Sequence, residues 1–249
     1  MDIQQYMQRI NYAGPSNATY DVLVNLQNSH LLGVPFENLD IHNNTKIDLA
    51  NLFDKIVVRK RGGFCYELNG LFYELLTQLG FTVKMVSARV YNDKDGYGEE
   101  FDHMALLVKI DDDDYLVDVG FGEFAFHPIK IAPNQETIDP RGAFKIEPFN
   151  SDYTVVKKRN ADGTFVPEYM FSETARDLAE FNGMCLYHQT SPESHFTQKR
   201  ICSLPTNDGR ITLTGNTIKI KENGIVKEHH LENEEKVRTA LWQYFGIKL

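Results

Sequence analysis

The chain has 249 residues, of which 42% are hydrophobic and 24% are charged, as is usual for a globular protein. Its formal net charge of -9 argues against a general role in binding DNA or RNA, because an acidic surface repels phosphate groups. Three cysteines are too few for a disulfide framework and are typical of a reducing compartment.

The N-terminal residues carry neither the basic region nor the apolar run of a signal peptide. No segment of the sequence has the length and hydrophobicity of a membrane span. We therefore expect a cytoplasmic protein that has no membrane partner.

The first third of the chain is predicted to be mainly helical. Apolar residues at helical spacing predict helices over residues 17–32 and 48–58. A further helix begins near Cys65, where the apolar positions again follow helical spacing. It is predicted to end at Gly80, because a glycine after the last apolar residue commonly terminates a helix.

Strands begin at Phe81, where the apolar residues change to a spacing of two. Alternating or β-branched residues predict four strands and further strand structure in a fifth segment: 81–86, 87–91, 104–110, 115–119 and 144–156. Four consecutive aspartates separate the third and fourth strands, which indicates a hairpin with an acidic turn.

The last third of the chain is predicted to contain both helices and strands. Residues 168–186 are predicted to be helical, and residues 234–245 form a final amphipathic helix. Four short strands are predicted between them: 201–204, 210–213, 218–221 and 225–229. Helices, then strands, then a mixed end indicate an α+β fold and not a doubly wound parallel sheet.

The segment RGGFC at residues 61–65 is the most informative in the chain. Its two glycines permit a sharp turn and leave space in front of the Cys65 sulfur. The N-terminus of a helix and the charge of Arg61 both favour a thiolate, which is the nucleophilic form of cysteine. We expect Glu37 to pair with Arg61 and to brace this turn.

His103 and Asp118 are the candidates for the base and for the group that orients it. A buried carboxylate such as Asp118 needs a partner, and an imidazole can supply it. If Ile110 pairs with Tyr115, both side chains share a face but lie four residues apart, roughly 13 Å at about 3.3 Å per residue. A bulge or a shifted register would have to bring them together.

Each candidate also has a purely structural interpretation. A cysteine in an apolar helix is often a core residue, and a buried aspartate often only accepts backbone hydrogen bonds. The aspartates at 111–114 lack the glycine and the distal glutamate of a calcium-binding loop. Neither the histidines nor the cysteines have metal-ligand spacing, so no metal site is predicted. The nucleotide-binding glycine motifs are also missing.

The sequence resembles the arylamine N-acetyltransferase family over most of its length. The order and spacing of six segments carry this resemblance: PFENL (35–39), RGGFCYELN (61–69), DHMALL (102–107), DVGFG (118–122), SPESHF (191–196) and DGRITL (208–213).

The resemblance implies a helical domain with the cysteine at 1–80, a β-barrel-like domain with His and Asp at 81–190, and an α/β lid at 191–249. It implies a catalytic triad of Cys65, His103 and Asp118. The implied reaction moves an acetyl group from acetyl-coenzyme A to an arylamine, arylhydroxylamine or arylhydrazine, through an acetylated cysteine.

Substrate and donor contacts are predicted from the residues near these motifs. Three phenylalanines are candidates for stacking on a planar arylamine, although core packing explains each equally well: Phe36, Phe101 and Phe121. The loop at 120–126 is the candidate for the pyrophosphate of coenzyme A, because small residues expose backbone N–H groups. Its candidate contacts are Gly120, Gly122 and Phe126.

Three alternatives remain open from the sequence. A cysteine hydrolase or a transglutaminase-like enzyme would use the same triad with water or a lysine as acceptor. A related amide synthase would close macrocycles. A binding protein would keep the fold without catalysis. The particular amine, the preferred acyl chain, the oligomeric state and a detoxifying or biosynthetic purpose are not determined.

Overall fold

The structure is a computed structural model that describes residues 1–249. It contains seven α-helices: α1 (Ile3–Arg9), α2 (Tyr20–Gly33), α3 (Leu39–His42), α4 (Cys65–Gln78), α5 (Asn182–Thr190), α6 (His195–Gln198) and α7 (Glu234–Phe245). A π-helical turn covers Asp54–Val58, and a 3-10 turn covers Leu178–Phe181. No helix combines the length and the apolar character that crossing a membrane requires.

Fourteen strands complete the fold. They are β1 (Phe36–Glu37), β2 (Thr82–Asn92), β3 (Gly96–Tyr97), β4 (His103–Ile110), β5 (Asp113–Val117), β6 (Ile129–Lys130), β7 (Glu136–Asp139), β8 (Gly142–Pro148), β9 (Thr154–Arg159), β10 (Phe165–Phe171), β11 (Ile201–Thr206), β12 (Gly209–Thr214), β13 (Thr217–Glu222) and β14 (Ile225–His230). The expected α+β fold with a helical N-terminus is therefore confirmed.

Helix α4 is the centre of the largest hydrophobic core. Its apolar side chains recur at helical spacing and are fully buried at Leu68, Leu71, Phe72, Leu75 and Leu76. Helices α1 and α2 pack on this core from one side, and strands β2 and β4 contact α4 from the other. The helix that begins with the cysteine is thus held rigidly between helices and sheet.

The larger sheet is antiparallel and curls into a nearly closed, barrel-like structure. Its strand order is β6-β5-β4-β2-β10-β9-β8-β7, and β3 pairs with β2. A second hydrophobic core fills its interior, with Phe144, Tyr169 and Phe171 among the buried members. Strands β4 and β5 form the hairpin that carries His103 and leads into Asp118.

The smaller sheet has the order β1-β11-β12-β13-β14, and helix α7 covers it through a third core that includes Val237, Leu241 and Phe245. Its first strand comes from the helical part of the chain, where Phe36 pairs with Ser203. The C-terminal sheet therefore includes an N-terminal strand. The domain boundaries near residues 80 and 190 stay predictions.

Part of the helix predicted over residues 168–186 is wrong. Residues up to Phe171 belong to strand β10, and the helix α5 begins only at Asn182. Tyr169 and Phe171 point into the barrel core while β10 pairs with β2 and β9. The apolar pattern of this segment is compatible with a helix or with a strand, and its burial between β2 and β9 decides for the strand. The helix predicted over 48–58 is likewise reduced to a π-helical turn at its end.

Five charged side chains form a buried cluster beneath the turn that leads into α4. Arg61 Nη2 lies 2.8 Å from Glu37 Oε1 and 2.8 Å from Asp40 Oδ1. Lys55 Nζ lies 2.7 Å from Asp40 Oδ2 and 2.8 Å from Glu67 Oε1. The expected Glu37–Arg61 pair is confirmed, and it belongs to a network that joins β1, α3, the π-helical turn and α4.

We predict that Arg61→Ala lowers the free energy of unfolding by about 3–5 kcal/mol, because buried carboxylates then lose their cation. Urea denaturation measures the change. Arg59→Ala is the matched control, since Arg59 pairs with Asp54 at the surface and losing an exposed pair costs about 0–1 kcal/mol. Equal stability of the Arg61 variant and the wild type would show that the cluster does not brace this turn.

Candidate active site

The turn before Cys65 is packed too closely for any residue but glycine at one position. A Cβ atom at Gly62 would lie 2.0 Å from the Pro35 carbonyl oxygen. The Glu37 N–H donates to the Gly63 carbonyl at 2.8 Å, which holds the turn against β1. The chain then enters α4 with Cys65 as its first helical residue. The helix start predicted from the sequence is confirmed.

Burial raises the pKa of the Cys65 thiol well above its usual value, and the charge of Asp118 adds to this. A hydrogen bond to the Met104 backbone lowers the pKa but does not offset the burial. Arg61, which was expected to favour the thiolate, points instead into the buried charged cluster. Because the charge of Arg61 is used by Glu37 and Asp40, a neighbouring base is the group that can take the proton of this thiol.

His103 is the first residue of β4 and is 2% exposed, and its Nε2 atom lies 2.7 Å from Asp118 Oδ2. The simple register, with Ile110 opposite Tyr115, does not occur; Ile110 pairs with Asp113 in a tight hairpin, which is a shifted register of the kind that the sequence required. The shifted register halves the separation of His103 and Asp118 along the two strands. It leaves both side chains on one face at a diagonal distance that they can span.

Four hydrogen bonds reach the buried Asp118 carboxylate. Oδ2 accepts from His103 Nε2 and from the Tyr169 hydroxyl at 3.0 Å. Oδ1 accepts from the Asn69 side chain at 2.9 Å and from the Gly120 N–H at 2.8 Å. Because a carboxylate only accepts, the hydrogen in the His103 pair lies on Nε2, and Nδ1 is left as the basic nitrogen of the ring.

Asn69 connects α4 to both strands of the hairpin. Its amide nitrogen donates to the Met104 carbonyl at 2.6 Å as well as to Asp118, and its oxygen accepts from the Val119 N–H at 2.9 Å. Its role was not predicted from the sequence. An asparagine one turn after Cys65, among the apolar positions of the helix, is the signal that could have found it.

Tyr169 was also missed, because it lies in the segment that was wrongly predicted to be helical. Its buried ring packs on His103 with ring centroids 5.2 Å apart, and its hydroxyl bonds to Asp118. Only its position on β10, next to β2, brings it to the site. No local pattern in the sequence indicates that placement.

Gly120 brings the aspartate segment against the cysteine. A Cβ atom there would lie 2.7 Å from the Cys65 Cα atom and 3.2 Å from its Cβ atom. Cys65, His103 and Gly120 line one cavity of about 950 Å³, together with Phe36 and Phe121. The structure therefore brings the predicted nucleophile and base to the same cavity, with Asp118 directly behind the base.

Two of the predicted contact residues lie elsewhere. Phe101 packs edge-on against Phe181, and the Arg176 guanidinium lies over its ring. Phe126 is buried in the main hydrophobic core, with Arg141 over its ring at 3.9 Å. Neither residue lines the cavity, and their contacts with substrate and donor stay predictions. The position of Phe101 fits the core-packing interpretation that the sequence also allowed.

Phe36, Gly120 and Phe121 line the cavity, whereas Gly122 does not, and the contacts of all four stay predictions. Phe121 packs on His103 with ring centroids 5.1 Å apart. Gly122 has a φ angle of 97°, which a glycine adopts without strain, and its carbonyl accepts from Arg210 at 2.6 Å.

Known proteins of related sequence cover the whole chain. A family model described as N-acetyltransferase matches residues 19–249. The chicken (Gallus gallus) arylamine N-acetyltransferase, pineal gland isozyme NAT-3, is 33% identical, with 100% of this chain and 95% of that protein covered. Human (Homo sapiens) arylamine N-acetyltransferase 1 is 31% identical, again with 100% and 95% covered.

Solved structures agree with these relatives. The arylamine N-acetyltransferase of M. tuberculosis superposes with a TM-score of 0.90 at 30% identity, covering 99% of this chain and 94% of that one. The NAT3 arylamine N-acetyltransferase of Bacillus cereus gives 0.91 at 26% identity with 100% of both chains covered, and is described as having a unique Cys-His-Glu triad. The corresponding carboxylate candidate here is an aspartate. By sequence, fold and coverage, this chain belongs to the arylamine N-acetyltransferase family.

Proposed function

We propose that this chain transfers an acetyl group from acetyl-coenzyme A to the nitrogen of an arylamine, arylhydroxylamine or arylhydrazine, and that Cys65 carries the group between the two substrates. One observation carries the proposal: Cys65 and His103 line a single cavity, and the His103 ring is fixed by a 2.7 Å bond to Asp118. Membership of the family supports the choice of substrates.

In the first step, His103 Nδ1 takes the proton of the Cys65 thiol as the sulfur attacks the carbonyl carbon of the donor. A bond forms between Cys65 Sγ and the acetyl carbon, and the bond from that carbon to the coenzyme A sulfur breaks. The imidazolium returns its proton to the departing thiolate. The product is again a thioester, so the acetyl group keeps its reactivity.

In the second step, the acceptor nitrogen attacks the acetyl carbon on Cys65, and His103 removes the proton that the nitrogen loses. The carbon–sulfur bond breaks, and the sulfur recovers a proton from the imidazolium. Asp118 stabilises the imidazolium in both steps through its charge and fixes the ring orientation. The Cys65 N–H at the start of α4 is the candidate donor to the carbonyl oxygen as negative charge develops there.

The contacts with the two substrates are also proposals. Phe36 and Phe121 line the cavity and offer aromatic faces to a planar acceptor. The loop that begins at Gly120 and Gly122 stays the candidate for the pyrophosphate of the donor, with the Gly120 N–H already donating to Asp118. Arg210 holds the carbonyl of Gly122 and so fixes this loop.

We predict that acetyl-coenzyme A leaves an acetyl group on Cys65 and that Cys65→Ala abolishes this adduct together with the transferase activity. Mass spectrometry of the intact protein and of its peptides measures the adduct. Cys185→Ala is the control, because Cys185 is buried in the core and its pKa is raised to about 12 by burial. Normal labelling of the Cys65 variant would refute the proposed mechanism.

Asp118→Asn should lower kcat by roughly 10²–10⁴-fold, because the amide removes the charge that stabilises the imidazolium and disturbs its tautomer. Tyr169→Phe is the matched variant, since it removes one hydrogen bond to the same carboxylate and leaves the bond to His103. We expect a loss of about tenfold or less for it. If both variants lost activity equally, the role would belong to the whole network and not to the Asp118 charge.

The pH dependence of alkylation tests the proton transfer. Burial raises the pKa of the Cys65 thiol, so in His103→Gln the thiol should stay protonated through neutral pH and react only as the pH rises into the alkaline range. In the wild type, His103 accepts the proton and iodoacetamide should react near neutral pH. Rates measured at Cys65 from pH 6 to pH 10 distinguish the two; overlapping profiles would remove His103 from the mechanism.

A further inference from the structure

The cavity lining outside the Cys65–His103 pair is strongly acidic. Among its 19 lining residues there is no lysine or arginine. Four of them carry carboxylates: Asp95, Glu99, Asp102 and Glu193. Carboxylates that line a cavity raise the local concentration of cationic ligands close to them.

Three of these carboxylates lie at the exposed rim and take part in no ion pair: Asp95, Glu99 and Glu193. Asp102 is half-buried, and its one ion-pair partner is His188, with 3.2 Å between Asp102 Oδ1 and His188 Nε2. None of the four carboxylates has a lysine or an arginine within ion-pair distance. Asp102 lies deepest, directly before the candidate base in the chain.

His188 provides an independent indication of a ligand. The side chain is 4% exposed and lines the same cavity, and its Nδ1 atom is 3.2 Å from Ser194 Oγ. Its Nε2 atom, although close to Asp102, is not aligned for a hydrogen bond with it and has no other partner. A buried polar atom without a hydrogen bond is costly, and a ligand that supplies one would bind more tightly.

The ring of His188 is also prevented from turning to another partner. It stacks on Tyr66 at a centroid distance of 6.2 Å and meets Phe196 edge-on at 5.2 Å. The Tyr66 hydroxyl donates to the carbonyls of Phe101 and Asp102, at 2.7 and 3.1 Å, which fixes the carboxylate segment as well. Imidazole and carboxylate are thus held in place as a pair.

We propose that Asp102 and His188 form a recognition site that selects aromatic acceptors bearing a cationic or hydrogen-bond-donating group away from the reacting nitrogen. The Asp102 carboxylate correspondingly disfavours acceptors that place a carboxylate of their own beside it. This inference rests on the proposed function, because it concerns the second substrate of the same cavity. The selected class is that of amidine-, guanidine- or amide-substituted arylamines and hydrazines.

Three para-substituted anilines of nearly equal shape test the selection: 4-aminobenzamidine, 4-aminobenzamide and 4-aminobenzoate. Their kcat/KM values are measured in the wild type and in Asp102→Asn. For each protein, kcat/KM for 4-aminobenzamidine is divided by kcat/KM for 4-aminobenzoate. Comparing this amidine-to-benzoate ratio between the two proteins cancels the different intrinsic reactivity of the compounds. We expect that ratio to fall roughly tenfold in the variant, as loss of one close charge pair predicts.

Asp112→Asn is the matched control, because it removes the same charge from an exposed turn outside the cavity. Its amidine-to-benzoate ratio should equal that of the wild type. Glu99→Gln, at the exposed rim, is a second variant that avoids any folding defect, and it should lower the ratio by about twofold. An unchanged ratio in both cavity variants would overturn the proposed selection.

Binding without turnover separates this inference from the proposed function. Benzamidine has no reacting amine, and we expect it to compete with an aniline acceptor while leaving the acetylation of Cys65 by the donor intact. Benzoate should compete at least tenfold less well. If Cys65 is acetylated but benzoate competes as well as benzamidine, only the recognition site is refuted. If Cys65 is never acetylated, both proposals fail.

Discussion

The site depends on one buried carboxylate and on the groups that share it. Removing an aspartate from water costs several kcal/mol, roughly, unless hydrogen bonds replace the lost hydration. Asp118 receives four such bonds, from α4, β4, β10 and its own turn. Each donor comes from a different part of the fold, so the carboxylate fixes the helix, the hairpin and the barrel relative to one another. The same arrangement orients His103.

The charged groups that stabilise the turn before Cys65 are different from those that take part in the proposed chemistry. The positive charge of Arg61 is used by Glu37 and Asp40 beneath the turn, where it holds the backbone that precedes the nucleophile. It does not stabilise the Cys65 thiolate, whose pKa is raised by burial. The reactivity of this thiol therefore depends on His103, which lines the same cavity and can take its proton.

Sequence patterns predicted those elements whose structure is determined by neighbouring residues in the chain. Apolar spacing located α4 and its first residue, and the acidic turn located the hairpin of β4 and β5. The sequence indicated that the simple hairpin register had to shift, but the size of the shift is set by the tight turn at Asp111 and Asp112. The role of Tyr169 and the pairing of Arg61 with Asp40 were missed, because both depend on contacts between segments far apart in the chain.

The short strand β1 has a mechanical consequence for how ligands enter and leave. On one side Phe36 pairs with Ser203 in the C-terminal sheet, and on the other the Glu37 N–H bonds to Gly63 beside the nucleophile. Asn38 adds side-chain bonds to the carbonyls of Phe196 and Lys199 and accepts from the N–H of Ile201. Any movement of the C-terminal sheet away from the helices would therefore break bonds to the turn that holds the nucleophile. A route for ligands through side chains and loops at the rim would leave these bonds intact.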